Sequence, residues 1–217
     1  MLVAAELSVP AWAEFTGRAT PWHPGHIGER YGLFTIIVLG EVVSAIATAV
    51  QSVLSQRGAS LGLLTTAVAG LLLVFALWWS YFKHSATKHI RLSLRWTFVW
   101  AFGHYLIFAA VAALGAGLQV VVDTLSDTAQ VTSLFAAFTV AIPVAMFLIV
   151  LGLLNTRMSS EPTATALTLL TAVLVLAAAA TIRILPLPLS IMIMTVLVAL
   201  LLAYHLTPAH QTTRHPE

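Results

Sequence analysis

Residues 26–47 read HIGERYGLFTIIVLGEVVSAIA, and this run decides the fold class while naming its hardest problem. From Tyr31 onward it is apolar for long enough to begin a membrane-crossing helix, which needs about 20 such residues. Glu41 stands in the middle of it. A carboxylate near the bilayer centre costs roughly 2.5–3.5 kcal/mol on insertion scales. Glu41 therefore calls for a protein partner, water or a proton.

Composition agrees with the opening run. The chain has 217 residues, 59% of them hydrophobic and 8% charged, with a mean hydropathy of +0.96. That leaves too little polar surface to cover a water-soluble globule. The bilayer is the expected solvent. No cysteine occurs, which excludes disulfide frameworks, thiolate metal sites and Cys nucleophiles. The formal charge of +2 and the dispersed Lys and Arg residues do not form a nucleic-acid footprint, so nucleic acid is not an expected partner.

Six apolar windows of spanning length follow one another near 31–54, 61–82, 96–118, 131–154, 164–184 and 188–206. Short polar connections separate them: SQRGAS, KHSATKHIRLSLR, QVVVDTLSDTAQ, NTRMSSEPT and LPLPLS. The expected fold is all-α, a polytopic helical bundle of about six transmembrane helices. Residues 1–29 read as an interfacial segment, since Pro10, Gly17, Pro21 and Pro24 interrupt any long helix and Trp12 and Trp22 favour headgroups. Residues 30–206 form the transmembrane domain, and 207–217 a polar tail. Placing the N-terminal segment in the cytoplasm gathers Arg18, Arg30, Lys83, Lys88, Arg91, Arg95, Arg157 and Arg214 on the inner side. Only Arg57 and Arg183 remain outside. This positive-inside bias predicts both termini in the cytoplasm and location in the cytoplasmic membrane. Trp78, Trp79, Tyr81, Trp96 and Trp100 read as an aromatic belt at the inner interface. The basic loop 83–95 suits anionic lipid headgroups.

At about 100° per residue, Arg30, Gly40, Glu41, Ser44, Thr48 and Gln51 share one side of the first helix, a polar stripe that must face protein or water. Arg30 lies about 16 Å along the axis from Glu41, too far to pair with it. His104, beside Gly103 in the third helix, is the expected partner at a compatible depth, able to share a proton with the carboxyl. The alternative is that each is satisfied by a neighbouring helix. A second cluster, TPWHPGHIGER at 20–30, brings His23, His26 and Glu29 close in sequence. The spacing makes His23 and His26 weak metal-ligand candidates, because Pro24 and Gly25 are expected to spoil a regular helix there. Glu29 more readily caps the helix start, with Arg30 reaching phosphates. No metal or cofactor is expected. Gly62, Thr66 and Gly70 repeat every four residues as a packing seam, and Pro143 should bend the fourth helix and free a carbonyl. Signatures of hydrolases, P-loop enzymes, zinc proteases and dinucleotide-binding enzymes are missing, so no catalytic residue is assigned.

TPWHPGHIGERYGLFTIIVLGEVVSA at 20–45, LWWSYF at 77–82 and FGHYLIFAAVAALGAGL at 102–118 resemble, in order and spacing, the bacterial low temperature requirement A family of multi-pass membrane proteins. The resemblance covers residues 1 to about 206. On it, Glu29, Arg30 and Glu41 match the ER and LGE positions, Trp78 and Trp79 the aromatic pair, and His104 the GH position. It implies relatives with additional upstream helices, so that this chain corresponds to the C-terminal half and Met1 to an internal start. It also implies a link to growth in the cold, without an established reaction. Gly25 stands where the family pattern suggests another histidine, and the family's upstream acidic-aromatic motif is absent.

Two functions fit these observations. One is a proton- or cation-coupled transporter or channel with Glu41, His104, Ser44, Thr48, Arg30 and Glu29 as the ion-binding set. The other is a non-transporting scaffold or assembly module whose stripe packs against partner helices, from an upstream segment or a second copy of the chain.

Overall fold

A computed structural model of the chain describes residues 5, 6, 8, 9, 12, 13 and 16, then 24–83, 94–128, 130–156 and 162–207. Among the described residues six helices are long and apolar enough to cross a membrane. They are α1 (Pro24–Arg57), α2 (Leu61–Phe82), α3 (Leu94–Leu125), α4 (Ser133–Asn155), α5 (Pro162–Ala180) and α6 (Leu187–Leu206), with a 3-10 turn at Thr181–Arg183 between the last two. The all-helical result follows from the solvent. Hydrocarbon offers no partner for backbone N–H and C=O groups, so each segment must satisfy its own.

Turn chemistry ends each span in the few residues available. Gly58 adopts φ 78 and its N–H bonds to the Leu54 carbonyl at 3.1 Å, closing α1 with a left-handed residue that glycine adopts without strain. Two residues later the Ser60 hydroxyl accepts from the Leu63 N–H at 3.2 Å and opens α2. Thr132 caps α4 in the same way through the Phe135 N–H at 3.2 Å. At α1 the helix begins at Pro24 instead of near residue 31. Proline fits a first helical turn, where its missing N–H has no acceptor in any case, so Pro24 starts the helix that the sequence reading has it interrupting. The third helix runs on to Leu125, past the expected end at 118, because Val121 and Val122 are still buried.

The helices form a ring in which α1 touches α2 and α3, α3 packs on α4, α4 on α5, α5 on α6, and α6 back on α2. Leu73, Ile107, Leu114, Leu118, Phe147, Leu148, Ile191 and Met194 fill its centre. The tightest approach joins α3 to α4. Pro143 lacks the N–H that would bond to the carbonyl of Thr139, yet α4 continues as one helix through it. The released carbonyl oxygen lies only 2.1 Å from where a Cβ on Gly117 would sit, and the Thr139 hydroxyl donates to the Gly117 carbonyl at 3.3 Å. The freed carbonyl thus meets the backbone of α3 and does not line a cavity. Gly70 makes a looser contact of the same kind with Ile46 and Leu118, and Gly62 with Pro188, both near 3.4 Å. Thr195 donates across from α6 to the Ala69 carbonyl at 3.0 Å.

At the far end of the bundle from the α1 start, Arg57 meets Asp127 at 3.8 Å, which puts the ends of α1 and α3 on one side. Gly117→Ala should force α3 and α4 apart and destabilise the protein by about 1–3 kcal/mol, the usual range for overpacking. Val173→Ala, on the exposed face of α5, should change stability by less than about 0.5 kcal/mol. Thermal unfolding of the two variants in detergent checks the contrast.

Candidate functional site

The buried polar centre of the bundle is His104, 2% exposed. Its Nδ1 lies 2.7 Å from the Trp100 carbonyl one turn back on α3. A carbonyl only accepts, so Nδ1 carries a hydrogen, and in the neutral ring Nε2 is then an acceptor. The Tyr81 phenol of α2 sits 2.9 Å from Nε2 and donates to it. Thr35 of α1 is fully buried, and its hydroxyl donates to the Tyr31 carbonyl at 2.8 Å. The imidazole therefore joins α2 to α3 by a hydrogen bond, and the Tyr31 ring of α1 meets it edge to face.

Aromatic rings enclose this imidazole. Ring centroids of Trp100, Tyr31, Tyr81 and Phe108 lie 4.0, 5.0, 5.6 and 5.9 Å from that of His104. The helical phase explains the enclosure: Trp100, His104 and Phe108 stand four apart on α3 and share a face. Trp100 is 3% exposed and Tyr81 9%, so both belong to the interior and not to an interfacial belt. Trp79 remains exposed, as a belt residue would.

His104 lies on the wall of a cavity of about 270 Å³ at the end of the bundle where α1 begins. Glu29 borders the same cavity, as do Tyr81, Phe82, Trp100 and Asn155. Two of the predicted site residues are thus brought together here, Glu29 and His104. Gly103 helps to shape the region, since a Cβ there would sit 3.0 Å from the Leu154 side chain of α4. Tyr31, Tyr81 and Asn155 escape a reading by charge because they are neutral. Tyr81 does share the face of Leu77 and Val74 on α2, which marked it as inward.

Glu41 is elsewhere. Its helix buries Thr35, Leu39, Val42, Ile46 and Ala49, and Arg30, Gly40, Glu41, Ser44, Thr48 and Gln51 all lie on the exposed side, roughly opposite that face at 100° per residue. Depth separates it from His104 as well. Tyr31 is the α1 residue beside His104, and Val42 is the one beside Gly115, so Glu41 stands about 15 Å farther along the axis. The expected Glu41–His104 pair is not formed. The depth estimate erred because α1 starts seven residues, and α3 two, before the apolar windows. Glu41 lies halfway along α1, and among the described residues none hydrogen-bonds or ion-pairs with its side chain. Thr48 turns its hydroxyl back to the Ser44 carbonyl at 2.9 Å.

The other candidates are quickly placed. His26 and Glu29 approach to 3.9 Å on an exposed helical turn, a regular helix after all; His23 lies outside the described residues. Among the described residues no three His, Asp or Glu side chains gather as metal ligands. In the basic loop Lys83 donates its Nζ to the His205 carbonyl at 2.5 Å, and residues 84–93 lie outside the described residues.

A model of the family described as bacterial low temperature requirement A protein (LtrA) matches residues 1–203. Comparison with curated proteins and with solved structures gives no match.

The Tyr81–His104 bond should show in a double-mutant cycle. Tyr81→Phe and His104→Leu are each expected to lower the unfolding temperature in detergent, with a coupling energy of about 0.5–2 kcal/mol. A coupling of zero refutes the bond.

Proposed function

The chain belongs to the bacterial low temperature requirement A (LtrA) family, and from that premise and its own geometry we propose that this multi-pass membrane protein is an assembly module, joined to a further helix through the polar stripe of α1. One observation carries the reading: Glu41, halfway along a spanning helix, lies on the exposed side with Gly40, Ser44, Thr48 and Gln51. A carboxyl left against acyl chains at that depth costs about 2.5–3.5 kcal/mol, and no described residue relieves it. A helix laid over the stripe does. Small residues let backbones approach, and hydroxyl, amide and carboxyl groups bond across the seam. The simplest cover is α1 of a second copy, because the stripe carries both donors and acceptors and so complements itself; upstream sequence in a longer chain is the other source. The cytoplasmic membrane, with the α1 start inward, is the location that the cation distribution favours.

A second reading is transport. The stripe from Arg30 to Gln51 runs about 32 Å along α1, close to the thickness of the hydrocarbon. Once covered, it is a polar line through the bilayer with Glu41 as the proton- or cation-binding group at its centre. In this reading His104 acts from its own enclosure beside Glu29, not in tandem with Glu41.

The absence of native cysteine makes the test clean. Ser44→Cys in native membranes should cross-link to itself on oxidation, while Val173→Cys, on the exposed face of α5, should not. Adding Glu41→Leu to Ser44→Cys should cut cross-linking about threefold to thirtyfold, the equivalent of 0.6–2 kcal/mol. Purified wild type and Glu41→Gln in liposomes, read for pH and cation flux, separate the two functions. Flux that disappears in the variant supports transport, and no flux in either supports the module. A Ser44→Cys protein that stays monomeric and uncross-linked overturns self-assembly through α1.

A further inference from the structure

We propose that the cavity at the start of α1 is a binding site for an alkylammonium group, the charged end of an amphiphile. Its wall supplies the two elements that recognise such a cation: aromatic rings, from Tyr81, Phe82 and Trp100, and one carboxylate, from Glu29. Ring faces attract a cation through their quadrupole and tolerate its bulk and its N-methyl groups. Tyr81 and Phe82 meet edge to face at 74° with centroids 4.9 Å apart, a favourable packing that holds the two rings together at the cavity wall. The volume of about 270 Å³ suits a small head group and not a large solute.

The surrounding charges point the same way. Among the described residues no lysine or arginine lines the cavity, so the described lining offers a phosphate or carboxylate ligand no charged donor. Arg30 follows Glu29 directly, about 100° round α1 from it, and does not line the cavity. Lys83 follows Phe82 directly but spends its ammonium on the His205 carbonyl of α6. Both ring nitrogens of His104 are engaged, Nδ1 with the Trp100 carbonyl and Nε2 with the Tyr81 phenol. His26 stands 3.9 Å from the Glu29 carboxylate and, when protonated, competes with the ligand for it.

The polarity of the lining sets the ligand's shape. Glu29 and Asn155, near the ends of their helices, mark the polar end of the cavity, while Leu33, Ile36 and Leu151 extend it along the helices. Leu33 and Ile36 are exposed, which leaves that apolar end open towards acyl chains. A molecule lying there with its ammonium by Glu29 and its alkyl part along α1 has the orientation of a lipid in one leaflet. The shared chemistry fits both a free alkylamine and an ethanolamine head group.

Two arms of one experiment decide between them and test the site. In maltoside detergent, octylammonium should raise the unfolding temperature saturably, whereas octyl sulfate and octanol at equal concentration should not. Glu29→Gln, on an exposed turn where it does not threaten folding, should weaken octylammonium binding about fivefold to tenfold, and Glu29→Lys should abolish it. In the second arm, protein released from nanodiscs containing phosphatidylethanolamine and phosphatidylglycerol is weighed by native mass spectrometry. Preferential retention of phosphatidylethanolamine, lost in Glu29→Lys, identifies the lipid as the source. Octylammonium binding without such retention identifies a free amine. Equal stabilisation by octanol or octyl sulfate, or identical octylammonium binding in wild type and Glu29→Lys, overturns the proposal.

Discussion

The contact on which this bundle depends is the Thr139 carbonyl resting on Gly117. A proline within a helix ordinarily leaves a carbonyl without its donor, an expensive state in hydrocarbon. Here the carbonyl is set against the backbone of α3 at a distance that only glycine permits, a geometry suited to a weak Cα–H bond, and the hydroxyl of the same threonine ties back to the Gly117 carbonyl. The close α3–α4 pair that results is the spine of the ring. From it, α1 lies along the other side of α3, and α5 follows α4. Apolar side chains gain nothing by leaving lipid for protein, so close backbone approach and a few directed polar contacts are what hold such helices together.

Two polar systems share the bundle without meeting. One is internal, from Tyr81 through His104 to the Trp100 carbonyl, each group answering a need of the next. The other is external, the stripe around Glu41, which among the described residues has no answering group across it. The first is closed within the chain and rigidifies one end of the ring. The second is open and is the reason an isolated ring is an incomplete description of how this sequence is solvated.

Reading the residues in order gave the number of spans, their sequence limits to within several residues and the presence of the stripe, because length and hydropathy alone impose these. The angle and height at which helices meet are set by neither. Glu41 and His104 looked level because apolar windows were taken as helix ends, although helices continue wherever their own backbone bonds and buried faces continue, as at Pro24 and at Val121 and Val122. The stripe was legible, but not the side it turns to: Thr35, Leu39, Val42 and Ile46 opposite it form an ordinary apolar face, and only the positions of α2 and α3 decide which face is covered. Trp100 and Tyr81 misled for a related reason, since an aromatic residue near a helix end suits an interface and a core equally well until its neighbours are known.

The unequal reach of the helices has a mechanical side. From Trp96 to Val122, α3 carries no charged side chain and extends about 39 Å, whereas all of α6, with 20 residues, reaches about 30 Å. A bilayer matched to α6 is too thin for α3, which then leans and carries α1 with it. A bilayer matched to α3 stands it upright and stretches over α6 instead. At an elastic penalty of a fraction of a kcal/mol for each ångström of mismatch, no single bilayer thickness relaxes both helices.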